Sequence, residues 1–437
     1  MSGRPLDERY AGAILSGYAR SPVSDTSTRS QTRPSRYAAK ALMASSVGYA
    51  MDGFDLLILS FSLAAIAATF GLNTGQSGML ATVTLIGAVL GGFIGGIASD
   101  RIGRVKVLTI SILVFAIFTA ATGLAPNHGL LVLFRFLSGI GLGAEYGVGM
   151  TLATEAWPAK WRARAASFVA VGWQVGVLLA AAVSAWALSN PAIGWRGLFL
   201  IGAIPAVLAF FTRRHVDEPE MYTQMKRSSN PLRELFNSPE RTRYSIAIVV
   251  LTSVQNFGYY GLMVWLPSFL SKQHGFSVTK SALWTAVTVI GMIIGILVFG
   301  FLADRVGRRP MFIIYQLGAA ITVVAYSQLS SPMALLIGGA IMGAFVNGMM
   351  GGYGALTAEL FPTHARGTAQ NVLFNVGRGV GGFAPWLIGL VAGAWSFGFA
   401  IGLLALIYVL DLIVTIFLVP ERRGASLDGV GEGSVPI

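Results

Sequence analysis

The sequence predicts an all-α membrane protein with twelve transmembrane helices, arranged as two related six-helix lobes. Of the 437 residues, 54% are hydrophobic and only 11% are charged, which is far too apolar for a soluble domain of this size. Twelve apolar runs are each about 20 residues long, the length that crosses the hydrocarbon core of a bilayer. Two charged motifs also occur twice, and their equivalent positions, such as Asp100 and Asp304, are all 204 residues apart. A constant offset indicates a duplicated half.

The apolar runs fall into two sets of six, and each set defines one lobe. The first set covers 41–70, 76–99, 107–125, 128–153, 165–189 and 195–212, and the second covers 244–271, 280–303, 311–330, 332–358, 368–394 and 398–419. The predicted lobes are 41–212 and 244–420. The polar segment 213–243 between them is predicted to be a cytoplasmic linker. Residues 1–40 are polar and lack the apolar core of a signal peptide, so a disordered cytoplasmic tail is predicted there, with a second tail at 421–437.

The placement of lysine and arginine predicts the orientation in the membrane. With the amino terminus inside, only three of the 31 basic residues lie on the outer side, Arg196, Lys272 and Lys280, and two lie within spans, Arg135 and Arg378. An excess of basic residues on the cytoplasmic side is the general rule. We therefore expect a protein of the bacterial inner membrane with both termini in the cytoplasm. We attribute the net charge of +12 to this topology rather than to a nucleic-acid partner.

Several kinds of chemistry are excluded or disfavoured by composition. The absence of cysteine excludes disulfides, thiol catalysis and thiolate metal sites. The four histidines, His128, His215, His274 and His364, lack the spacing of metal ligands. No glycine-rich stretch is followed by the Lys-Ser/Thr of a phosphate loop, and no nucleophile, base and orienting group form a catalytic set. We expect no metal, no cofactor, no ATP hydrolysis and no enzymatic activity.

The repeated motifs predict a gate on the cytoplasmic side. GIASDRIGR at 96–104 and GFLADRVGR at 300–308 place an acid and two arginines on a tight turn, and Glu-x-x-Pro-x-x-x-Arg follows spans 4 and 10. The aspartate can accept hydrogen bonds from a helix amino terminus or from an arginine across the lobe interface, and the glutamate can pair with the arginine of the preceding loop. Solvated topogenic charges are the alternative. The predicted gate residues are Gly96, Asp100, Arg101, Gly103, Arg104, Glu155 and Arg162 in the first lobe, and Gly300, Asp304, Arg305, Gly307, Arg308, Glu359 and Arg366 in the second.

These loops, together with RFLSGIGLGAEY at 135–146, resemble the signature of the major facilitator superfamily over residues 41–420. The family implies two six-helix lobes that rock about a central cavity. YAMDGFDLLIL, GLGAEYGVGMTLATEAWP, and GWRGLFLIGAIPAVLAFFTRR before DEPE are similar to proton symporters for organic acids, the sialate and lactate group and its aromatic-acid relatives. The resemblance implies secondary active, proton-coupled uptake of a small carboxylate by alternating access.

Two acids in span 1 are predicted to couple transport to protons. Asp52 and Asp55 are three residues apart and share one helical face. Burial and mutual repulsion favour a proton on at least one of them, and the resemblance implies that the matching acids are needed for transport. Either acid could instead be a structural partner of an arginine or of backbone amides. The sequence leaves open which of the two titrates.

Span 4 carries two further ionisable groups. The resemblance assigns Arg135 to proton coupling and gating near the extracellular end of the span, and the alternative is that its side chain snorkels to the interface. Glu145 is ten residues further on, about 15 Å along a helix, so the two are not a local pair. We expect Glu145 to line the cavity or to join the coupling network.

The predicted substrate anchor is Arg378 in span 11, which has no acid near it in its own span. A guanidinium matches the geometry of a carboxylate, and Asn371 and Asn375 precede it along one helical face. The alternative is an inter-helix pair between Arg378 and Asp52, Asp55 or Asp411; the role of Asp411 is left open. Other cavity candidates are Gln174, Asn256, Tyr259, Tyr260, Asn347 and Tyr353.

The two halves differ where function is expected. At the 204-residue offset, the partner of Arg135 is Gly339, those of Asp52 and Asp55 are Asn256 and Tyr259, and that of Arg378 is Gln174. Proton chemistry is therefore predicted in the first lobe and the substrate anchor in the second.

The sequence predicts that the partners are a small organic anion, a proton and membrane lipid, and that the chain works as a monomer. A carrier of a neutral sugar or polyol, with a structural Arg378, is the nearest rival. A drug-efflux antiporter fits less well because span 5 lacks the Gly-Pro kink pattern of that branch. A non-transporting sensor would require larger signalling tails.

Overall fold

A computed structural model describes residues 34–72, 74–213 and 230–424, and this part of the chain is built from helices. We number the long helices α1 to α12 in chain order. They are α1 (Arg36–Phe70), α2 (Thr74–Ile102), α3 (Arg104–Gly123), α4 (His128–Ala156), α5 (Arg162–Ser189), α6 (Gly194–Arg213), α7 (Pro239–Ser268), α8 (Val278–Val306), α9 (Arg308–Ser327), α10 (Pro332–Leu360), α11 (Thr363–Ala394) and α12 (Phe397–Leu418). The last three are each interrupted once, at Met349, at 382–383 and at Leu403.

The all-α, twelve-helix prediction is confirmed. Among the described residues, eleven helices are long and apolar enough to cross a membrane, and α6 adds the shorter apolar stretch Gly194–Ile204. Ten of the twelve helices begin one to five residues before their apolar runs, and α1 and α7 begin at serine caps. The Ser35 hydroxyl accepts from the Ala38 amide and starts α1 inside the predicted tail, and the Ser238 hydroxyl caps α7 inside the predicted linker. Residues 214–229 of the predicted linker and residues 1–33 and 425–437 of the predicted tails lie outside the described residues.

Close helix packing within each lobe depends on small residues. In the first lobe α2 packs on α4, and in the second α8 packs on α10. A Cβ atom added to Gly91 would overlap the carbonyl oxygen of Ile140, and one added to Gly295 would overlap that of Ala344. These two contacts occupy equivalent repeat positions, so both lobes use the same backbone-to-backbone approach, which is typical of membrane helices.

The two lobes meet through two equivalent helix pairs, α2 with α11 and α5 with α8. Exchanging the lobes converts one pair into the other. The turns that carry the first repeated motif lie between α2 and α3 and between α8 and α9, where Gly103 has φ +116° and Gly307 has φ +122°. Only glycine adopts this backbone readily, which explains the glycine before each final arginine. Both motifs lie at one end of the molecule, which we call the motif end.

Candidate functional site

At the motif end, the aspartate of each repeated motif reaches the opposite lobe. The Asp100 carboxylate lies 3.1 Å from Arg104 and accepts hydrogen bonds from the backbone amides of Gly367 (3.1 Å) and Thr368 (2.7 Å) near the start of α11. Hydrogen bonds from backbone amides to an ionised carboxylate are stronger than those between neutral groups.

Asp304 repeats the arrangement with the lobes exchanged. It lies 3.2 Å from Arg308 and accepts from the backbone amides of Ala163 (3.1 Å) and Arg164 (3.2 Å) at the start of α5. Each lobe therefore binds backbone amides near the start of a helix of the other.

The glutamates of the second motif complete the contact. Glu155 lies 2.8 Å from Arg366 of the other lobe and 3.3 Å from Arg104 of its own. Glu359 likewise lies 3.1 Å from Arg162 across the interface and 2.8 Å from Arg308 within its lobe. These side chains are buried, so removing one partner would leave a charge without compensation. The ion-pair network consists of Asp100, Arg104, Glu155, Arg162, Asp304, Arg308, Glu359 and Arg366, and it ties the lobes together at the motif end.

The remaining residues of the predicted gate lie around this network. Across the lobe interface, Gly96 contacts Asn371 and Gly300 contacts Ser167. Asn371 and Ser167 occupy equivalent positions in the repeat. Arg101 and Arg305 are exposed at the surface rather than inside the network.

A narrow cavity between the lobes lies among α1, α5, α7, α10 and α11. Its lining residues are Tyr49, Ala170, Trp173, Gln174, Gln255, Asn256, Tyr259, Tyr260, Asn347, Met350, Phe374 and Arg378. Aromatic contacts connect the two lobes here: the Phe374 ring stacks on Tyr146 with centroids 3.9 Å apart, and the Trp173 indole donates to the Tyr259 hydroxyl at 3.0 Å. The cavity thus combines flat apolar walls with amide, hydroxyl and guanidinium groups.

Arg378 provides the cation of this cavity. Its side chain is 3% exposed, and its guanidinium lies 5.1 Å from the centre of the Trp173 ring. Within the described part of the chain no carboxylate is within ion-pair distance of it, and its Nη2 atom has no hydrogen-bond partner. The Tyr260 side chain hydrogen-bonds to the guanidinium, and the Asp52 carboxylate lies near enough to interact with its charge.

Two of the three acids that could have neutralised Arg378, Asp55 and Asp411, are engaged elsewhere. Asp55 pairs with Arg135. Asp411 is fully buried between α9 and α12, where Gln316 donates to it at 2.9 Å. A direct ion pair between Arg378 and either acid is therefore absent from this structure.

The other predicted substrate residues divide into two groups. Gln174, Asn256, Tyr259 and Asn347 line the cavity, as does Tyr260. The predicted face of α11 that carries Asn371 and Asn375 is buried against α2 and α4 instead: Asn375 donates to the Gly143 carbonyl oxygen at 3.2 Å, and Asn371 packs against Gly147. Tyr353 is also outside the lining, and its hydroxyl donates to the Leu251 carbonyl oxygen.

Sequence reasoning missed the polar aromatic lining residues Tyr49 and Trp173 and one amide, Gln255. Gln255 lies beside the predicted Asn256 on α7, and its amide donates to Asn347 at 2.8 Å. A buried amide within an apolar span was the available signal, because such a group requires a partner.

Asp55 and Arg135 form a two-pronged ion pair inside the first lobe. The two guanidinium nitrogens lie 3.0 and 2.6 Å from the two carboxylate oxygens. Thr119 donates to Asp55 at 3.0 Å, and Arg135 donates to the Thr84 hydroxyl at 3.1 Å, so four helices converge on the pair. Arg135 is fully buried and does not snorkel to a surface.

Asp52 and Glu145 line a second, smaller cavity, which lies within the first lobe among Gly48, Met51, Ile112, Phe115, Gly141 and Leu142. Both carboxylates are almost fully buried, and the Ser111 hydroxyl donates to Glu145 at 3.2 Å. Asp52 therefore faces an acid of its own lobe while its charge also acts on Arg378 of the other.

Comparisons with known proteins agree with this architecture. The sequence profile described as "Major Facilitator Superfamily" matches residues 45–289 and 249–436. A Haemophilus influenzae protein named "Putative metabolite transport protein" is 57% identical over 90% of this chain and 98% of its own length. The cis,cis-muconate transport protein of Acinetobacter baylyi is 34% identical, over 85% of this chain and 92% of its own length. The fold is similar to that of the proton:xylose symporter XylE bound to 6-bromo-6-deoxy-D-glucose, with a TM-score of 0.78, 21% identity, and coverage of 91% of this chain and 99% of that one.

Proposed function

The chain belongs to the Major Facilitator Superfamily and is a multi-pass membrane transporter, and from that premise we propose that it takes up a small organic acid together with protons by alternating access. The observation that carries this proposal is Arg378, a buried cation in the cavity between the lobes without a carboxylate partner among the described residues. A similar chain is named as a transporter of muconate, a dicarboxylic acid, which supports the same substrate class.

The substrate carboxylate is proposed to bind the guanidinium of Arg378. A buried guanidinium is costly unless an anion pairs with it, and its planar fork suits two carboxylate oxygens. The free Nη2 atom supplies a donor for that purpose. Trp173, which packs on the guanidinium, and Tyr260 keep the arginine in place. Gln174, Asn256, Tyr259 and Asn347 complete the proposed substrate site.

Proton coupling is proposed to reside in the acids of the first lobe, Asp52, Asp55 and Glu145, with Arg135. The charge of Asp52 acts on Arg378, so a substrate carboxylate bound there adds a second negative charge to the same region. Proton uptake by Asp52 relieves the repulsion, and proton and substrate binding therefore favour each other. Proton uptake by Asp55 would weaken its two-pronged pair with Arg135 and loosen the four helices that meet there.

The ion-pair network is the proposed gate. We assign the motif end to the cytoplasm, so the described conformation is closed on that side, and opening breaks the contacts between Glu155 and Arg366 and between Glu359 and Arg162. Both termini are then cytoplasmic, and the bacterial inner membrane is the proposed location. The chain is proposed to act as a monomer in lipid, since the cavity is formed by the two lobes of one chain.

Uptake by purified protein in liposomes tests the proposal. Radiolabelled aliphatic and aromatic acids and a sugar are offered with the outer solution acidic relative to the interior. We expect accumulation of an acid that stops when an uncoupler collapses the proton gradient. Accumulation that continues unchanged would refute proton coupling.

Variants of Arg378 test the substrate class in the same assay. Arg378→Gln and Arg378→Lys should abolish acid binding, because the first removes the charge and the second removes the planar fork. Arg196→Gln is the matched control: this arginine donates to backbone carbonyls at the end of α3, outside the cavity, and its loss should leave binding intact. Uptake of the sugar that survives Arg378→Gln would instead support the neutral-substrate carrier.

A further inference from the structure

Besides the charged Arg378, the cavity contains a second set of polar groups, which is uncharged. The amide nitrogen of Gln255 on α7 donates to the amide oxygen of Asn347 on α10 at 2.8 Å. The two side chains are 1% and 3% exposed, and both line the cavity. We call them the amide pair.

The amide pair is only half satisfied. Its single internal hydrogen bond uses one donor and one acceptor, and the Gln255 Oε1 and Asn347 Nδ2 atoms are buried without a hydrogen-bond partner. The pair thus retains one acceptor atom and one donor atom that make no hydrogen bond. Turning both amides over leaves the same pattern, because the internal bond then runs in the opposite direction.

Unpaired polar atoms in an apolar interior are unfavourable, so a site that contains them binds a ligand that pairs with them and rejects one that does not. A group that both donates and accepts satisfies the pair: a hydroxyl, a carboxamide or a protonated carboxyl. An ionised carboxylate only accepts, and an ether also only accepts, so each leaves the free Gln255 oxygen unpaired.

We propose that the amide pair of Gln255 and Asn347 selects substrates that carry an uncharged donor–acceptor group in addition to the carboxylate. This inference rests on the proposed function, in which Arg378 binds the carboxylate, and it specifies the other end of the molecule. The aromatic walls formed by Tyr49, Trp173 and Tyr260 favour a flat, unsaturated body between the two ends.

Equilibrium binding to the purified full chain tests the proposal. The probes are benzoate, meta- and para-hydroxybenzoate, the corresponding methyl ethers, and the uncharged hydroxybenzyl alcohols. We expect a hydroxybenzoate to bind about tenfold more tightly than benzoate or the matching ether, the effect of one to two neutral hydrogen bonds. A wild-type protein that binds benzoate, the hydroxybenzoates and their methyl ethers equally would overturn the assignment.

Two variants assign the preference to the amide pair. Gln255→Met keeps the side-chain length without the amide and should bring the hydroxybenzoate-to-benzoate affinity ratio close to one. Asn347→Leu should do the same and serves if Gln255→Met does not fold. Gln316→Met is the matched control, because Gln316 is an equally buried amide that bonds Asp411 and Thr415 away from the cavity.

The outcomes separate this inference from the proposed function. If the acids bind and the hydroxyl preference persists in Gln255→Met and Asn347→Leu, the amide-pair assignment is wrong and the acid proposal stands. If the uncharged alcohols bind as tightly as the acids and depend on Gln255, the amide pair stands and the acid proposal fails. If Gln316→Met abolishes the preference as well, the effect is a general one of buried amides and the assignment is refuted.

Discussion

The ion-pair network predicts that one neutralised glutamate shifts the whole transporter toward the state open at the motif end. In Glu155→Gln the carboxylate that lies 2.8 Å from Arg366 of the opposite lobe becomes an amide of the same shape. Glu155 also contacts Arg104 of its own lobe, and that contact survives opening, so only the contact with Arg366 distinguishes the closed state. A hydrogen bond to a charged group contributes about 1.5–3 kcal/mol. The population of the open state should therefore rise about 10- to 100-fold relative to the closed state.

The absence of cysteine in the chain provides the assay. A single Ser167→Cys substitution places a thiol on α5 in the α5–α8 interface, where the Ser167 side chain is buried and bonds the Gly351 carbonyl oxygen. Maleimide should label it only when the lobes separate at the motif end. We expect labelling in the Glu155→Gln background to accelerate in proportion to the open population.

Two further variants control this experiment. Glu359→Gln removes the equivalent contact with Arg162 in the other half of the repeat and should accelerate labelling to a similar degree. Glu240→Gln removes a carboxylate whose side chain is 62% exposed and whose pair with Arg422 lies outside the network, so the labelling rate should not change. Equal labelling rates in Glu155→Gln and in the unmodified background would refute the gate assignment.

Three other predictions concern the first lobe and the helix packing. Asp55→Asn leaves the buried Arg135 charge unpaired and should destabilise the protein by about 3–5 kcal/mol, measured as a lower Tm. Adding Arg135→Gln should restore part of the lost stability. A double variant less stable than the single one would contradict the pairing argument. Under the proposed coupling, wild-type acid binding should weaken as pH rises, and Asp52→Asn should make it independent of pH; parallel pH profiles of Kd would contradict the link to Asp52. Gly91→Ala should lower the stability of the fold by about 1–3 kcal/mol because the added methyl group meets the backbone of α4. Gly393→Ala is the control: its methyl group meets open space, so Tm should not change. Equal Tm values for the two variants would show that the close approach is unimportant.

The fold was accessible from the sequence because its signals are local or repeated. An apolar run long enough to cross a bilayer forms a helix, since lipid offers no partner for exposed backbone groups. The constant offset between Asp100 and Asp304 related the two halves before any contact was known. Helix ends were less accessible: α1 and α7 extend beyond their apolar runs because the capping serines, Ser35 and Ser238, act through hydrogen bonds rather than hydropathy.

The candidate site was accessible only in part, because cavity lining depends on helix rotation. Asn375 and Arg378 are three residues apart on α11, yet one donates to a backbone oxygen of α4 and the other borders the cavity. Hydropathy does not distinguish the side of a buried helix that meets another helix from the side that meets a cavity. Gln255 was overlooked for the same reason.

The sequence by itself determined the class of protein, the duplicated halves and the set of costly intramembrane charges, because each follows from side-chain chemistry and spacing along one chain. Tertiary structure decided how those charges are paired. Asp55 could have neutralised Arg378, but the packing of α1 against α4 brings Asp55 into an ion pair with Arg135. Arg378 therefore keeps a free hydrogen-bond donor in the cavity between the lobes. That choice is made by distances between helices that are far apart in sequence, and these distances result from packing both lobes at once.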